Sequence, residues 1–412
     1  MFLRFRCYGF LKNLRFFDPF LVLFFRDAGL SFLAIGTLYS LREITANVLE
    51  IPTGVLADTF GRRRALVAAF VCYLMSFAIL YARCGFPLFV VAMMLFGAGE
   101  ALRSGTHKAI ILDHLRRRGM EDQKVAYYGR TRAASQMGST CAAIIAAALV
   151  FWTGGYRVVF LASLVPYVLG LMNILRYPRA FDVPHAAGTG AKGVWPRLRE
   201  TARASLLVLR QRRLVIGLLS SASFDALFKS TKDYLQPILQ AFALAIPLLV
   251  RFEDSRRGAV VIGGMYALIY AGSSFAASRA GAVERRAPSL ASAANATLLI
   301  GIGLILAAGA GTWSGLLGLA VVAFALGYAL QNVRRPLVVG YLACLIPDRT
   351  MATGLSIEAQ LRTLLVAGLA PLLGHLADRW GLGPAIVTAA LLLAVASPLL
   401  LMRRLPVAKP PA

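Results

Sequence analysis

The chain has 412 residues, 58% of them apolar and 15% charged, with a mean hydropathy of +0.68. A soluble globular chain is about half apolar and a quarter charged, so composition excludes an ordinary soluble protein and points to the membrane. The net charge of +25 would suit a nucleic-acid partner, but the basic residues lie in short loops and at the ends of apolar runs, and no nucleic acid is expected.

Apolar runs of about 20 residues, each able to cross a hydrocarbon core of ~30 Å, recur along the whole chain. Backbone groups in lipid must be satisfied within the segment, which makes helices the default; the ten-residue alternation of an outer-membrane barrel is not seen. The reading is an all-α membrane protein with twelve helices. The first, 10–26, follows Arg4 and Arg6 without a small-residue cleavage site, so it reads as a retained helix and not a signal peptide. It carries Lys12, Arg15 and Asp18, the last just before Pro19. The second, 30–57, holds Arg42, Glu43, Asn47 and Glu50, with Glu43, Asn47 and Glu50 on one face. The third is 64–83. The fourth, 86–114, places Glu100, Arg103 and His107 on a shared face and ends near Asp113. The fifth and sixth are 126–152 and 156–176.

A loop at 177–212 follows, with Pro178, Pro184 and Ala187-Gly188-Thr189-Gly190. It divides the chain into an N-terminal six-helix half (1–178), a cytoplasmic linker (179–212) and a C-terminal half (213–412). The seventh helix, 213–238, carries Asp225, Lys229, Lys232, Asp233 and Gln236, and both Asp225–Lys229 and Lys229–Asp233 have helical pair spacing. Residues 240–257 read as a long outer loop. The remaining helices are 258–280, 288–309, 313–342, 351–376 and 382–402. The tenth has Gln331, Asn332, Arg334 and Arg335 before Pro336; the eleventh has Glu358, Gln360 and Arg362. Gly301-Ile302-Gly303, like Ser104-Gly105, reads as a close-packing feature. The Lys and Arg bias of the short loops puts both termini and 177–212 in the cytoplasm, and the expected location is the bacterial plasma membrane.

Five scattered cysteines form no C-x-x-C pair. Four histidines make no ligand cluster, and no nucleophile, phosphate-loop or dinucleotide motif stands in a usable context. Neither an enzyme nor a metal or other cofactor is expected.

The segment Gly54-Val55-Leu56-Ala57-Asp58-Thr59-Phe60-Gly61-Arg62-Arg63-Arg64 is a tight basic turn between two spans. It resembles the signature loop between helices 2 and 3 of the major facilitator superfamily of transporters, with Thr59 standing where that family usually has a basic residue. The resemblance extends over the chain in length, span number and central loop. It implies two six-helix halves that expose a midplane site alternately to each side, with helices 1, 4, 7 and 10 lining the cavity. The candidate substrate-binding residues are then Arg42, Glu43, Glu100, Arg103, His107, Lys229, Lys232, Asp233, Glu358 and Arg362. Candidate proton carriers are Glu100, Glu50 and Asp18. Candidate gating residues are Gly54, Asp58, Gly61, Arg62, Arg63 and Asp113, with an Asp113–Arg62 latch and Asp58 at the start of helix 11. The competing reading makes these charges structural pairs, Asp18 with Arg15 or Lys12 among them. The expected partners are a small-molecule substrate, protons and the lipid bilayer, and the expected state is a monomer. Helix 5 lacks the Gly-Pro signature of drug antiporters at Gly138 to Ile144, so direction stays open. The buried bases lean towards an anionic or zwitterionic substrate. A ligand sensor without turnover and a lipid translocase are the alternatives.

Overall fold

The computed structural model describes residues 1–120, 124–182, 211–247, 250–346 and 351–403, and among these the chain is helical without a strand. Nine of the described helices are long and apolar enough to cross a membrane. The three expected spans outside that set are 10–26, which is broken into two short helices, and 30–57 and 213–238, which carry charges within the span.

The chain divides into two compact units, Met1–Leu198 with Gln236–Ala271, and Arg199–Leu235 with Gly272–Ala412. In the first, the expected helix 10–26 is two pieces: α1 (Phe2–Lys12) and α2 (Leu21–Asp27), separated by a turn and a 3-10 segment at Asp18–Phe20. Pro19 has no N–H to continue a helix. The gap is filled by a side chain: the Gln236 amide accepts from the Val22 N–H at 2.8 Å and donates to the Asp18 carbonyl at 2.9 Å. Those two backbone groups are the i and i−4 partners of a helical bond, so the fully buried glutamine sits inside the ladder.

The single expected helix 86–114 is also interrupted. It forms α5 (Phe86–Arg103) and α6 (Thr106–Arg117), broken at Ser104 and at Gly105, whose φ is +72°. Only glycine adopts that region without strain, so Gly105 is a chain break and not merely a packing residue. α3 (Phe32–Phe60) and α4 (Arg62–Ala82) both pack on α5. A Cβ at Gly99 would stand 2.8 Å from the Tyr73 ring, so α4 and α5 approach as closely as a missing side chain allows. α8 (Val158–Leu175) lies on α4 and α1, and α1 also packs on α7 (Lys124–Thr153).

The expected helix 213–238 is likewise split, into α9 (Arg212–Thr231) and α10 (Leu235–Ala245), with a 3-10 turn at Lys232–Tyr234. Lys232 and Asp233 lie in that 3-10 turn. Residues 240–245, expected in a loop, continue α10, and α11 spans Asp254–Ser278. Arg257 on α11 donates to the carbonyls of Ala243, Leu244 and Ile246 at 3.4, 3.2 and 3.0 Å, satisfying the end of α10.

The second unit contains α9, α12 (Ala280–Arg286), α13 (Leu290–Trp313), α14 (Leu317–Ala343), α15 (Met351–Trp380) and α16 (Leu382–Leu400). α13 packs between α14 and α16, and α9 lies on α15. Gly301 on α13 faces the Phe224 ring so closely that a Cβ would overlap it, which matches the packing role read for that stretch. Arg334 on α14 is 1% exposed. It donates to Thr297 Oγ1 and to Ser220 O and Oγ, each at 3.2 Å, and to the Ala294 carbonyl, and so ties α14 to α13 and α9.

Candidate functional site

The polar residues of the first unit gather at the two helix breaks. Glu100, one turn before the end of α5, is shared by two guanidinium groups. Arg15 Nη2 lies 2.6 Å from Oε1, and Arg103 Nη2 holds Oε2. The Tyr73 hydroxyl donates to Oε1 at 2.9 Å and accepts from Arg103 Nε at 3.2 Å. Arg15 reaches Glu100 because α1 ends three residues earlier and the chain is unwound there. The cation of Arg103 at the last turn of α5 is favoured by the helix dipole. The side chains of Arg15, Glu100 and Arg103 are 20%, 25% and 22% exposed, so the nest is open on one side. Arg15 lies over the Phe96 ring at 5.5 Å. Beyond the α5–α6 break the Ser104 hydroxyl donates to Glu50 Oε1 at 3.1 Å, which places Glu50 at the interruption.

His107, expected on the face of Glu100 and Arg103, lies beyond the helix break, on α6. Its ring stacks on Tyr8 with centroids 3.7 Å apart, and its Nε2 is 3.3 Å from the Tyr177 hydroxyl. Burial pushes the Tyr177 phenol above its usual range, so it stays protonated. Arg42 and Glu43 pair with each other at 3.1 Å on α3, and the Arg42 guanidinium lies over Tyr39.

The turn between α3 and α4 is organised by a residue that the sequence reading assigned to the linker. Asp182 ends a short 3-10 turn at Arg179–Asp182. Its carboxylate meets Arg63 Nη1 at 2.8 Å and accepts from the Arg64 backbone N–H at 3.1 Å. Arg63 also donates to the Leu175 carbonyl at 3.0 Å. Gly61 has φ +104°, and a Cβ there would stand 2.6 Å from Asp182 Cα. Arg62 donates to the Ala109 carbonyl at 3.4 Å, and Asp113 pairs with Arg117 at 3.0 Å. Gly54 has open space beside it, and the Asp58 side chain lies outside the described residues.

In the second unit, Asp225 on α9 is nearly buried and joins α14 and α15. It accepts from Gln331 Nε2 and Arg335 Nη1, each at 2.6 Å. Arg362 Nη1 stands 3.6 Å from both Asp225 Oδ2 and Glu358 Oε1, and the Ser221 hydroxyl donates to Glu358 at 3.3 Å. Glu358 and Arg362 thus pair as their spacing suggested, while Asp225, Gln331 and Arg335 complete a network larger than the candidate set. Lys232 pairs with Asp233 at 2.6 Å in the 3-10 turn, next to Lys229 in the last turn of α9. Among the described residues no group of His, Cys, Asp and Glu could hold a metal ion.

Ion networks on interrupted spanning helices, with a basic glycine turn joining two of them, are the construction of a membrane transporter. The profile of the Major Facilitator Superfamily matches residues 10–357. The chain belongs to the major facilitator superfamily. No curated protein sequence matches it. Among solved structures, a mutant of the nucleoside transporter NupG superposes with a TM-score of 0.78 at 13% identity, over 97% of this chain and 99% of that one. A POT family transporter in complex with 5-aminolevulinic acid gives 0.68 at 14% identity, over 97% and 96%. Peptide transporter POT in complex with sulfate gives 0.66 at 15% identity, over 97% and 94%. At such identities the likeness is one of fold: the twelve-helix, two-half plan of the superfamily. The protein is a multi-pass secondary transporter of a small molecule.

Proposed function

We propose that this superfamily member moves its substrate by alternating access coupled to protons, with Glu100 as the proton-carrying carboxylate. The observation that carries the reading is the sharing of Glu100 between Arg15 and Arg103 at the end of a broken spanning helix. A carboxylate shared by two cations changes its proton affinity when either moves away. In this reading 1–178 and 213–412 are the halves that rock, 179–212 is a cytoplasmic linker, and both termini are cytoplasmic in a bacterial plasma membrane. Arg42, Glu43, Glu100, Arg103, His107, Lys229, Lys232, Asp233, Glu358 and Arg362 face the substrate path, with Glu50 and Asp18 as further carriers. Gly54, Asp58, Gly61, Arg62, Arg63 and Asp113 form the inner gate, and the monomer is the working unit.

The test is uptake into proteoliposomes with an imposed pH gradient, starting with nucleosides and peptides, the solutes in the names of two of the three structural neighbours. Wild-type flux should follow the gradient, and Glu100→Gln should keep solute exchange while losing gradient-driven accumulation. Accumulation by Glu100→Gln at the wild-type level removes the carrier assignment. Ligand-induced stabilisation with no flux of any solute would favour a sensor, and flip of labelled lipid a translocase.

A further inference from the structure

We propose that Arg335 and Arg362, which share Asp225 in the second unit, bind the carboxylate or phosphate of a small organic anion that carries a hydroxyl or N–H group beside its charge. This rests on the transport reading above and narrows it to a substrate class. The first observation is a set of unused donors. A guanidinium has five N–H donors in a planar fork suited to carboxylate or phosphate. Among the described residues Arg335 donates only from Nη1, to Asp225 Oδ2 at 2.6 Å, and its side chain is 51% exposed. Arg362 donates no hydrogen bond among them. Its Nη1 stands 3.6 Å from Asp225 Oδ2 and from Glu358 Oε1, beyond hydrogen-bond reach. Both residues lie well inside long apolar helices, α14 and α15, where an exposed charge faces a cavity and not lipid.

The second observation is the charge itself. Arginine stays protonated in proteins. Three arginines, Arg334, Arg335 and Arg362, stand against two carboxylates, Asp225 and Glu358. Arg334 is met by carbonyl and hydroxyl oxygens and by the Phe224 ring at 5.0 Å, none of which carries a charge. Lys229 and Lys232 lie further along and have contacts of their own. One positive charge is therefore in excess where α9, α14 and α15 meet. Water can meet the free donors but not the charge; an anion meets both. The third observation selects among anions. Gln331 lies one turn before Arg335, on the same face of α14. Its Nε2 donates to Asp225 Oδ1, which fixes the amide, and its Oε1 is buried and meets no donor. An acceptor left open beside two unfilled guanidinium groups suits an anion with a donor of its own.

The test uses the full chain in detergent and follows thermal stabilisation by matched solutes. Mandelate is compared with mandelamide, which lacks the charge, and with phenylacetate, which lacks the hydroxyl. Glycerol 3-phosphate is compared with glycerol and with propyl phosphate in the same way. At least one hydroxyl-bearing anion should stabilise the protein, above its mate without hydroxyl, and its neutral mate should not. Arg335→Gln should weaken the apparent affinity about tenfold or more, and Gln331→Met should remove the preference for the hydroxyl. Melting without solute shows whether each variant is folded, and Arg362→Gln takes the place of Arg335→Gln if the latter is not. Stabilisation by the neutral mates, by none of the anions, equally without the hydroxyl, or undiminished in the arginine variants overturns the proposal. So does stabilisation by added phosphatidylglycerol alone, which would assign the charge to a lipid headgroup. Anion binding without flux in proteoliposomes would leave this site standing and remove the transport reading; flux of neutral solutes alone would do the reverse.

Discussion

Replacing Gln236 with methionine should destabilise the first unit by about 2–6 kcal/mol, since two buried backbone groups lose their partners at about 1–3 kcal/mol each. Methionine keeps the length and volume of the side chain and removes only the amide. The Val22 N–H and the Asp18 carbonyl are then left facing a thioether. One relaxation could cancel the effect. The two groups are helical partners, and if the turn closed on itself a single backbone bond would replace the two lost ones, leaving a cost below ~1 kcal/mol. Closure is opposed by Phe20, between them, whose φ of −126° lies about 60° from the helical value. Its ring is fully buried and stacks on Tyr156 at 5.8 Å, so it does not turn freely. The larger figure therefore holds. Equilibrium unfolding in mixed micelles measures it, and amide exchange at Val22 should rise in parallel. A change within ~0.5 kcal/mol, with Val22 still protected, would refute the wedge and show that the break closes.

Three further outcomes are expected. Asp182→Ala should cost about 1–3 kcal/mol through loss of the Arg63 pair and the Arg64 N–H acceptor, and Asp182→Asn, which keeps an acceptor oxygen, about half as much; equal losses in the two variants would place the energy in the ion pair alone. Gly61→Ala should be destabilising by at least ~1–3 kcal/mol from its backbone angle alone, and Asp182→Gly, which keeps the backbone atoms the new methyl would meet, should not rescue it; an unchanged stability in Gly61→Ala would contradict the strain. Asp225→Leu strands Gln331 and removes a carboxylate from Arg335 and Arg362, and should cost about 2–3 kcal/mol, less than a fully buried pair because Arg335 is half exposed; a neutral or stabilising result in the same unfolding assay would contradict the network.

The spans and the turn between α3 and α4 were legible because lipid imposes them. An uninterrupted apolar run has one use, and Gly54 to Arg64 combines a helix end, a basic anchor and a glycine in one short stretch. The breaks were less visible. Gly105 in an apolar run can relieve crowding or adopt a positive φ, and the residue is the same in both cases. The role of Gln236 was not legible because its partners, the backbone of Asp18 and Val22, lie far away in sequence and leave no pattern. Asp182 follows Pro178 and so read as linker, although its carboxylate orders the turn at Gly61. Arg15, read as a structural partner of Asp18, reaches Glu100 because the chain is unwound after α1. Charge pairs within one helix, such as Glu358 with Arg362, are written in their spacing; Asp225 with Arg335 needs the packing of α9 against α14.

Arg334 bears on how the protein is made. A lone arginine near the middle of a span costs roughly 2.5–3.5 kcal/mol on insertion scales, so α14 leaving the ribosome by itself would enter lipid poorly. Its acceptors on α9 and α13 are synthesised earlier, and α13 is joined to α14 by a turn of only three residues, 314–316. The pair should therefore insert as a hairpin, and glycosylation mapping should find α14 spanning efficiently only when α13 precedes it. Chain order thus supplies the acceptors before the cation that needs them.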